Sequence, residues 1–111
     1  MDSYTWKSTV TPDIWAIDAT VANLAGSWYM FFSAMSPNNL QSLYAARMSN
    51  PWTITGGYSL ISEPTLSWER EGAPVNEGPA VLTNGSRVWM TYSASYCKLF
   101  SFGLFCPSRL F

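Results

Sequence analysis

One short pattern occurs twice in this chain, and that repeat constrains the fold more than any other feature. Asp18 opens the first copy as Asp18-Ala19-Thr20-Val21; eight residues on comes Gly26-Ser27, then the apolar run Trp28-Tyr29-Met30-Phe31-Phe32-Ser33-Ala34. Glu77 opens the second copy as Glu77-Gly78-Pro79-Ala80-Val81; eight residues on comes Gly85-Ser86, then Arg87-Val88-Trp89-Met90-Thr91-Tyr92-Ser93-Ala94, with one residue more before its Ser-Ala ending. Self-similarity of this kind marks stacked supersecondary units, and kelch-type propeller blades recur at about 50 residues. As neighbouring blades, the copies put Asp18 and Glu77 at equivalent places facing one axis. Two carboxylates converging on one cavity suit acid–base chemistry on a sugar bond. The alternative is a chance match between two solvated turn residues.

Each copy reads as strand, hairpin, strand. Trp28 to Ser33 is a short continuous apolar run, the pattern of a strand buried on both faces, and Val88 to Ser93 is its counterpart. Turns precede the runs at Gly26-Ser27 and Asn84-Gly85-Ser86, and Asn-Gly between apolar segments is a strong hairpin signal. Ile14 to Ala25 has helix-forming Ala and Leu, but β-branched Thr20 and Val21 so close to a turn favour a strand. Ser42 to Met48 supplies a third strand, and either Trp52-Thr53-Ile54 or Tyr58 to Ile61 a fourth, with turns at Ser36-Pro37-Asn38-Asn39 and Ser49-Asn50-Pro51. Gly56-Gly57 reads as a turn. Four strands in about 50 residues make one blade. The expected fold is therefore all-β, with about one complete propeller blade and the first half of the next. Beyond Tyr96-Cys97 neither alternation nor turn chemistry continues. Residues 98–111, with four Phe and two charges, read as a tail foreign to the fold, leaving 1–97 as a partial domain.

Charge is scarce. Charged residues make up 12% of the chain and aromatics 16%, where soluble domains carry about 25% charge. So little charge cannot cover the surface of a small independent domain, and the chain reads as a piece of a larger body. A net charge of −1 leaves no basic patch, so neither nucleic acid nor an anionic membrane is an expected partner. The apolar runs fall well short of the ~20 residues of a membrane helix. Met1-Asp2-Ser3-Tyr4-Thr5-Trp6-Lys7 lacks the basic-then-apolar order of a signal peptide, and none is expected. With no histidine, a Ser–His–Asp triad, a Cys–His dyad and the usual zinc sites are excluded within the chain. Cys97 and Cys106 either pair in an oxidising compartment or remain two buried thiols.

Several motifs, in order, resemble glycoside hydrolase family 43. Trp15-Ala16-Ile17-Asp18 resembles its Trp-Ala-Pro-Asp/Glu motif, with Ile17 where Pro is commoner, and Val75-Asn76-Glu77-Gly78-Pro79 resembles its Glu-Gly-Pro motif. Leu43 to Trp52, Trp68-Glu69-Arg70 and Thr91 to Tyr96 are similar to the arabinofuranosidase-like branch. The resemblance spans roughly Asp13 to Cys97. It implies a fragment of a five-bladed β-propeller from an inverting, extracellular glycosidase acting on arabinose- or xylose-containing oligo- or polysaccharides. It also implies Glu77 as the general acid and Asp18 as the carboxylate that raises the acid's pKa and holds its orientation. The general base belongs to an Asp in the preceding blade; Asp2 and Asp13 lack a strand-like apolar setting, so no base is expected here and the isolated chain should be inactive. Many members bind calcium on the propeller axis, but that site is not expected in this chain, so neither a metal nor another cofactor is.

Around the acids, Trp15 either stacks on a sugar ring or fills the gap between blades. Asn76 hydrogen-bonds either a sugar hydroxyl or the backbone of a turn. Tyr44, Trp52 and Trp68 read as blade packing, and Glu63, Glu69, Arg70 and Glu71 as a solvated charge cluster. The rival functions are a carbohydrate-binding β-domain without catalysis and a truncated, inactive product.

Overall fold

The computed structural model describes residues 13–96 and the strand backbone of 101–105. Asp2, Cys97, Cys106 and the rest of the tail lie outside the described residues. Seven strands run in chain order: β1 (Ala16–Leu24), β2 (Ser27–Met35), β3 (Gln41–Asn50), β4 (Thr53–Ser62), β5 (Asn76–Asn84), β6 (Arg87–Ala94) and β7 (Ser101–Phe105). β1 to β4 form one antiparallel meander in sequence order, and β5 to β7 form a second. The strand expected over Ile14 to Ala25 is present. Both candidates for the fourth strand belong to β4, and Gly56-Gly57 is no turn. The pair lies inside β4, where three residues (Thr55, Gly56 and Gly57) bulge out opposite Arg47, with Gly56 at φ +80°. The second sheet also gains a strand from the tail, because β7 pairs with β6 from Met90 to Ala94.

The two hairpins superimpose at a constant offset of sixty residues: Leu24 on Asn84, Ser27 on Arg87, Ala34 on Ala94. The extra residue inferred from sequence is absorbed at the turns. The first turn is Ala25-Gly26, both at positive φ; the second is Gly85-Ser86, with Gly85 at φ +60°. These are the primed hairpin geometries, whose twist matches that of the strands. Asp18 therefore matches Gly78, while Glu77 matches Ile17. The two acids are one residue out of step rather than equivalent.

Both sheets carry a β-bulge at the acids: Asp18 lies in the first, and Glu77 directly precedes the second. Asp18 and Ala19 together oppose Phe32, and Gly78 and Pro79 together oppose Tyr92. The first bulge residue is left-handed each time, Asp18 at φ +55° and Gly78 at φ +61°. An extra residue reverses side-chain parity along the strand. Ala16 thus packs on one face of the first sheet, while Ala22 and Leu24 pack on the other.

That second face meets the second sheet. Leu24, Phe31, Leu43 and Ala45 close on Met90, Tyr92 and Ala94, with Trp68 at the margin. On the opposite face Met30, Phe32, Ala34, Tyr44, Ala46 and Met48 make a separate cluster. There Phe32 stacks on Tyr44 at 5.7 Å, and Tyr58 stands edge-on to both. β2 feeds both cores, which is why its apolar run does not alternate. Trp52, expected to pack within the blade, is 45% exposed in the β3–β4 turn.

Left-handed backbone costs an L-residue about 1–2 kcal/mol and glycine almost nothing. Asp18→Ala should therefore be less stable than Asp18→Gly by about 1 kcal/mol in urea unfolding, although both lose the same carboxylate. Equal stability would show that the bulge carries no such strain.

Candidate functional site

Glu77 is the last β5 residue before the bulge, and its carboxylate is met by the neighbouring sheet. Its Oε2 accepts a hydrogen bond from Gln41 Nε2 at 3.1 Å. Gln41 begins β3 and is pinned to the approach to β5: its backbone N–H donates to the Pro74 carbonyl at 3.3 Å, and it bridges Val75 in parallel. Asp18 reaches the same place from β1, its Oδ2 accepting the Gly78 backbone N–H at 3.1 Å. Both predicted acids are thus brought together at one seam between the sheets. One carboxylate oxygen of Asp18 is held by the peptide that follows Glu77.

The other predicted contacts fare differently. Trp15 stands just before β1, 56% exposed, and belongs to neither core cluster. Asn76 is fully buried. Its Nδ2 donates to Glu69 Oε1 at 3.1 Å, and its Oδ1 has no partner among the described residues. Its amide nitrogen therefore meets a protein carboxylate rather than the backbone of a turn.

That carboxylate corrects a sequence expectation. Glu69 is only 2% exposed, not part of a solvated charge cluster. It closes the short 3-10 turn Ser67–Glu69, where Oε2 accepts the backbone N–H groups of Thr65 at 2.9 Å and Leu66 at 2.8 Å. Oε1 takes the Asn76 amide and the Tyr92 hydroxyl, the latter at 2.8 Å. Four donors replace the lost water, the condition for burying a carboxylate without a cation. The loop between the sheets is thereby fastened to the first residue of β5, next to Glu77. Burial pushes the Tyr92 phenol well above its usual value, helped by its bond to Glu69 and by that negative charge.

Gln41 and Ser33 were not foreseen. Ser33, fully buried in β2, donates to the Asn76 carbonyl at 2.7 Å and accepts from Gln41 Nε2 at 3.1 Å. No residue pattern flags them, since a lone Gln and a Ser in an apolar strand suit many roles. Among the described residues no three carboxylates or thiols gather as metal ligands would.

Two consecutive antiparallel sheets, each with an acid beside an inner-strand bulge, define part of a β-propeller. The chain belongs to the glycosyl hydrolases family 43, whose model matches residues 2–100. It is 43% identical over 97 residues to an extracellular exo-alpha-(1->5)-L-arabinofuranosidase of Streptomyces avermitilis, covering 84% of this chain and 20% of that protein. It is 44% identical over 86 residues to alpha-L-arabinofuranosidase 43 of Humicola insolens, covering 75% of this chain and 18% of that protein. The crystal structure of an alpha-L-arabinofuranosidase from Lactobacillus brevis superimposes with a TM-score of 0.79 at 32% identity, over 87% of this chain and 31% of that one. The chain thus spans about a fifth of the length of these curated relatives.

The raised Tyr92 pKa sets a pH dependence. Below pH 10, the ordinary tyrosine value, the phenol is neutral in both folded and unfolded chains and its contribution is complete. Above it the unfolded chain ionises first, so stability falls as pH rises toward the folded pKa. Urea midpoints should drop as the pH is raised above 10, and Tyr92→Phe should shrink that drop while lowering stability at pH 8. An unchanged alkaline drop in Tyr92→Phe would contradict the assignment.

Proposed function

We propose that this chain carries the general acid of an inverting glycosidase that releases α-L-arabinofuranosyl units from arabinose- or xylose-containing glycans. Glu77 donates its proton to the departing glycosidic oxygen as the bond to the sugar's anomeric carbon breaks. Water attacks that carbon from the opposite face, and its proton goes to a base. An inverting site keeps acid and base about 6.5–9.5 Å apart to admit that water. Among the described residues the seam has no second carboxylate free of protein donors: Asp18 Oδ2 accepts from Gly78, and Glu69 is buried under four donors. On this reading the base comes from another blade, and the 111 residues alone should not turn over substrate.

Asp18, beside Glu77, holds the acid's peptide in place and keeps a second negative charge at the site. Trp15, largely exposed, supplies an apolar surface for a sugar ring. Asn76 supports the acid from below rather than touching substrate. The observation that carries the assignment is the hydrogen bond from the Gly78 backbone to Asp18, which ties two carboxylate-bearing strands from separate sheets at one point. The arabinofuranosyl specificity rests on the relatives' names, and the Streptomyces avermitilis relative, named extracellular, supports a protein that works outside the cell. A carbohydrate-binding domain without catalysis is the second reading. Trp15 alone favours it, whereas paired acids at a seam have no use in a stacking site.

The test is a protein in which this chain is completed by the remaining blades. Glu77→Gln should lower turnover of an arabino-oligosaccharide by about 10²–10⁴-fold, and change little on an aryl arabinofuranoside whose leaving group needs little protonation. Equal losses on both substrates would remove Glu77 from the acid's role.

A further inference from the structure

We infer that Gln41 is a positioning residue for Glu77: from the adjacent sheet it fixes the carboxyl plane so that Oε1 presents the acidic proton. This rests on Glu77 being the general acid. Gln41 Nε2 carries two, and the structure places one partner for each, Glu77 Oε2 and Ser33 Oγ, both at 3.1 Å. The single Ser33 hydroxyl hydrogen is spent on the Asn76 carbonyl at 2.7 Å, so Ser33 accepts from Gln41. Every donor in the relay then has one direction, and the amide turns its nitrogen, not its oxygen, toward Glu77. Ser33 and Asn76 are both fully buried, so water does not compete for the bond between them, and the two Gln41 bonds, which are half-buried, are anchored on that pair.

That direction decides where the acid's proton sits. The Gln41 nitrogen has no lone pair to accept an O–H, and a carbonyl oxygen accepts better than a carboxylic hydroxyl, so the neutral acid keeps Oε2 as its carbonyl. Oε2 is the acceptor in both charge states, and the proton occupies Oε1. As the proton leaves for the glycosidic oxygen, Glu77 becomes an anion and the bond from Gln41 becomes charge-assisted, hence stronger. An interaction that strengthens along the reaction lowers the barrier rather than merely binding substrate. The frame is rigid as well, since the Gln41 backbone is bonded to Pro74 and bridged to Val75, close before Glu77 in the chain.

The experiment uses the completed propeller with Gln41→Met, which keeps length and apolar stem but has no donor, and with Ser33→Ala, which frees one amide hydrogen. Gln41→Met should lower kcat on an arabino-oligosaccharide by about 10-fold, leave KM unchanged, and leave kcat on an activated aryl arabinofuranoside within about 2-fold. Ser33→Ala should show a smaller loss with the same bias, and it carries the test where Gln41→Met does not fold. Losses equal on both substrates, or no loss on either, would overturn the proposal. Glu77→Gln in the same protein separates the failures. If it discriminates between the substrates while both other variants do not, only the role of Gln41 falls. If it does not discriminate, the acid assignment falls, and this proposal with it.

Discussion

The bulge on the inner strand is the constraint on which the site depends. A strand of strict period two would keep every second residue, Ala16, Ala22 and Leu24 among them, on one face throughout. The extra residue at Asp18-Ala19, and again at Gly78-Pro79, reverses the faces and turns the backbone sharply. In the second sheet glycine takes the left-handed position almost without cost. In the first sheet an aspartate takes it, where glycine would be easier. Strain held at one residue and offset by a specific bond is a common mark of functional backbone. Here the bond runs from Asp18 to the peptide after Glu77.

Around that point the two sheets are joined by different physics on different levels. The apolar core of Phe31, Leu43, Met90 and Tyr92 supplies cohesion without direction. Direction comes from the polar layer beside it. Ser33, Gln41 and Asn76 form a relay with one allowed sense, and Glu69 is fully satisfied by four donors. Breaking one member of such a buried network leaves a polar group unpaired, at a cost of about 1–3 kcal/mol. The Glu77 carboxylate and the start of β5 are therefore held in place by groups of the neighbouring sheet and of the loop between the sheets.

Much of the fold was legible because it follows local rules. The unbroken apolar run of β2 announced a strand buried on two faces, and Thr20 with Val21 outweighed the helix-forming alanines of β1. The repeat located both acids, but its register was misjudged by one residue, because Gly26 and Gly85 look like matching turn glycines and are not: one is second in its turn, the other first. Turn type, not composition, sets that alignment. The Gly56-Gly57 pair misled for a related reason, since a bulge and a turn use the same residue. Glu69 was unreadable because burial of a charge depends on donors that come from Thr65, Leu66, Asn76 and Tyr92, and no local pattern in the chain announces that they converge. Gln41 was hidden by distance, 36 residues from the carboxylate it touches.

On the proposed reading one oxygen of Glu77 faces the scissile bond while the other is held by the preceding sheet. A crystal structure of the completed propeller carrying Glu77→Gln, with an arabino-oligosaccharide bound, measures this directly. The side chain at position 77 should lie about 3 Å from a glycosidic oxygen, with Gln41 on its far side. A sugar stacked on Trp15 with no atom of residue 77 near a glycosidic oxygen would contradict the account and leave a binding surface in place of a catalytic one.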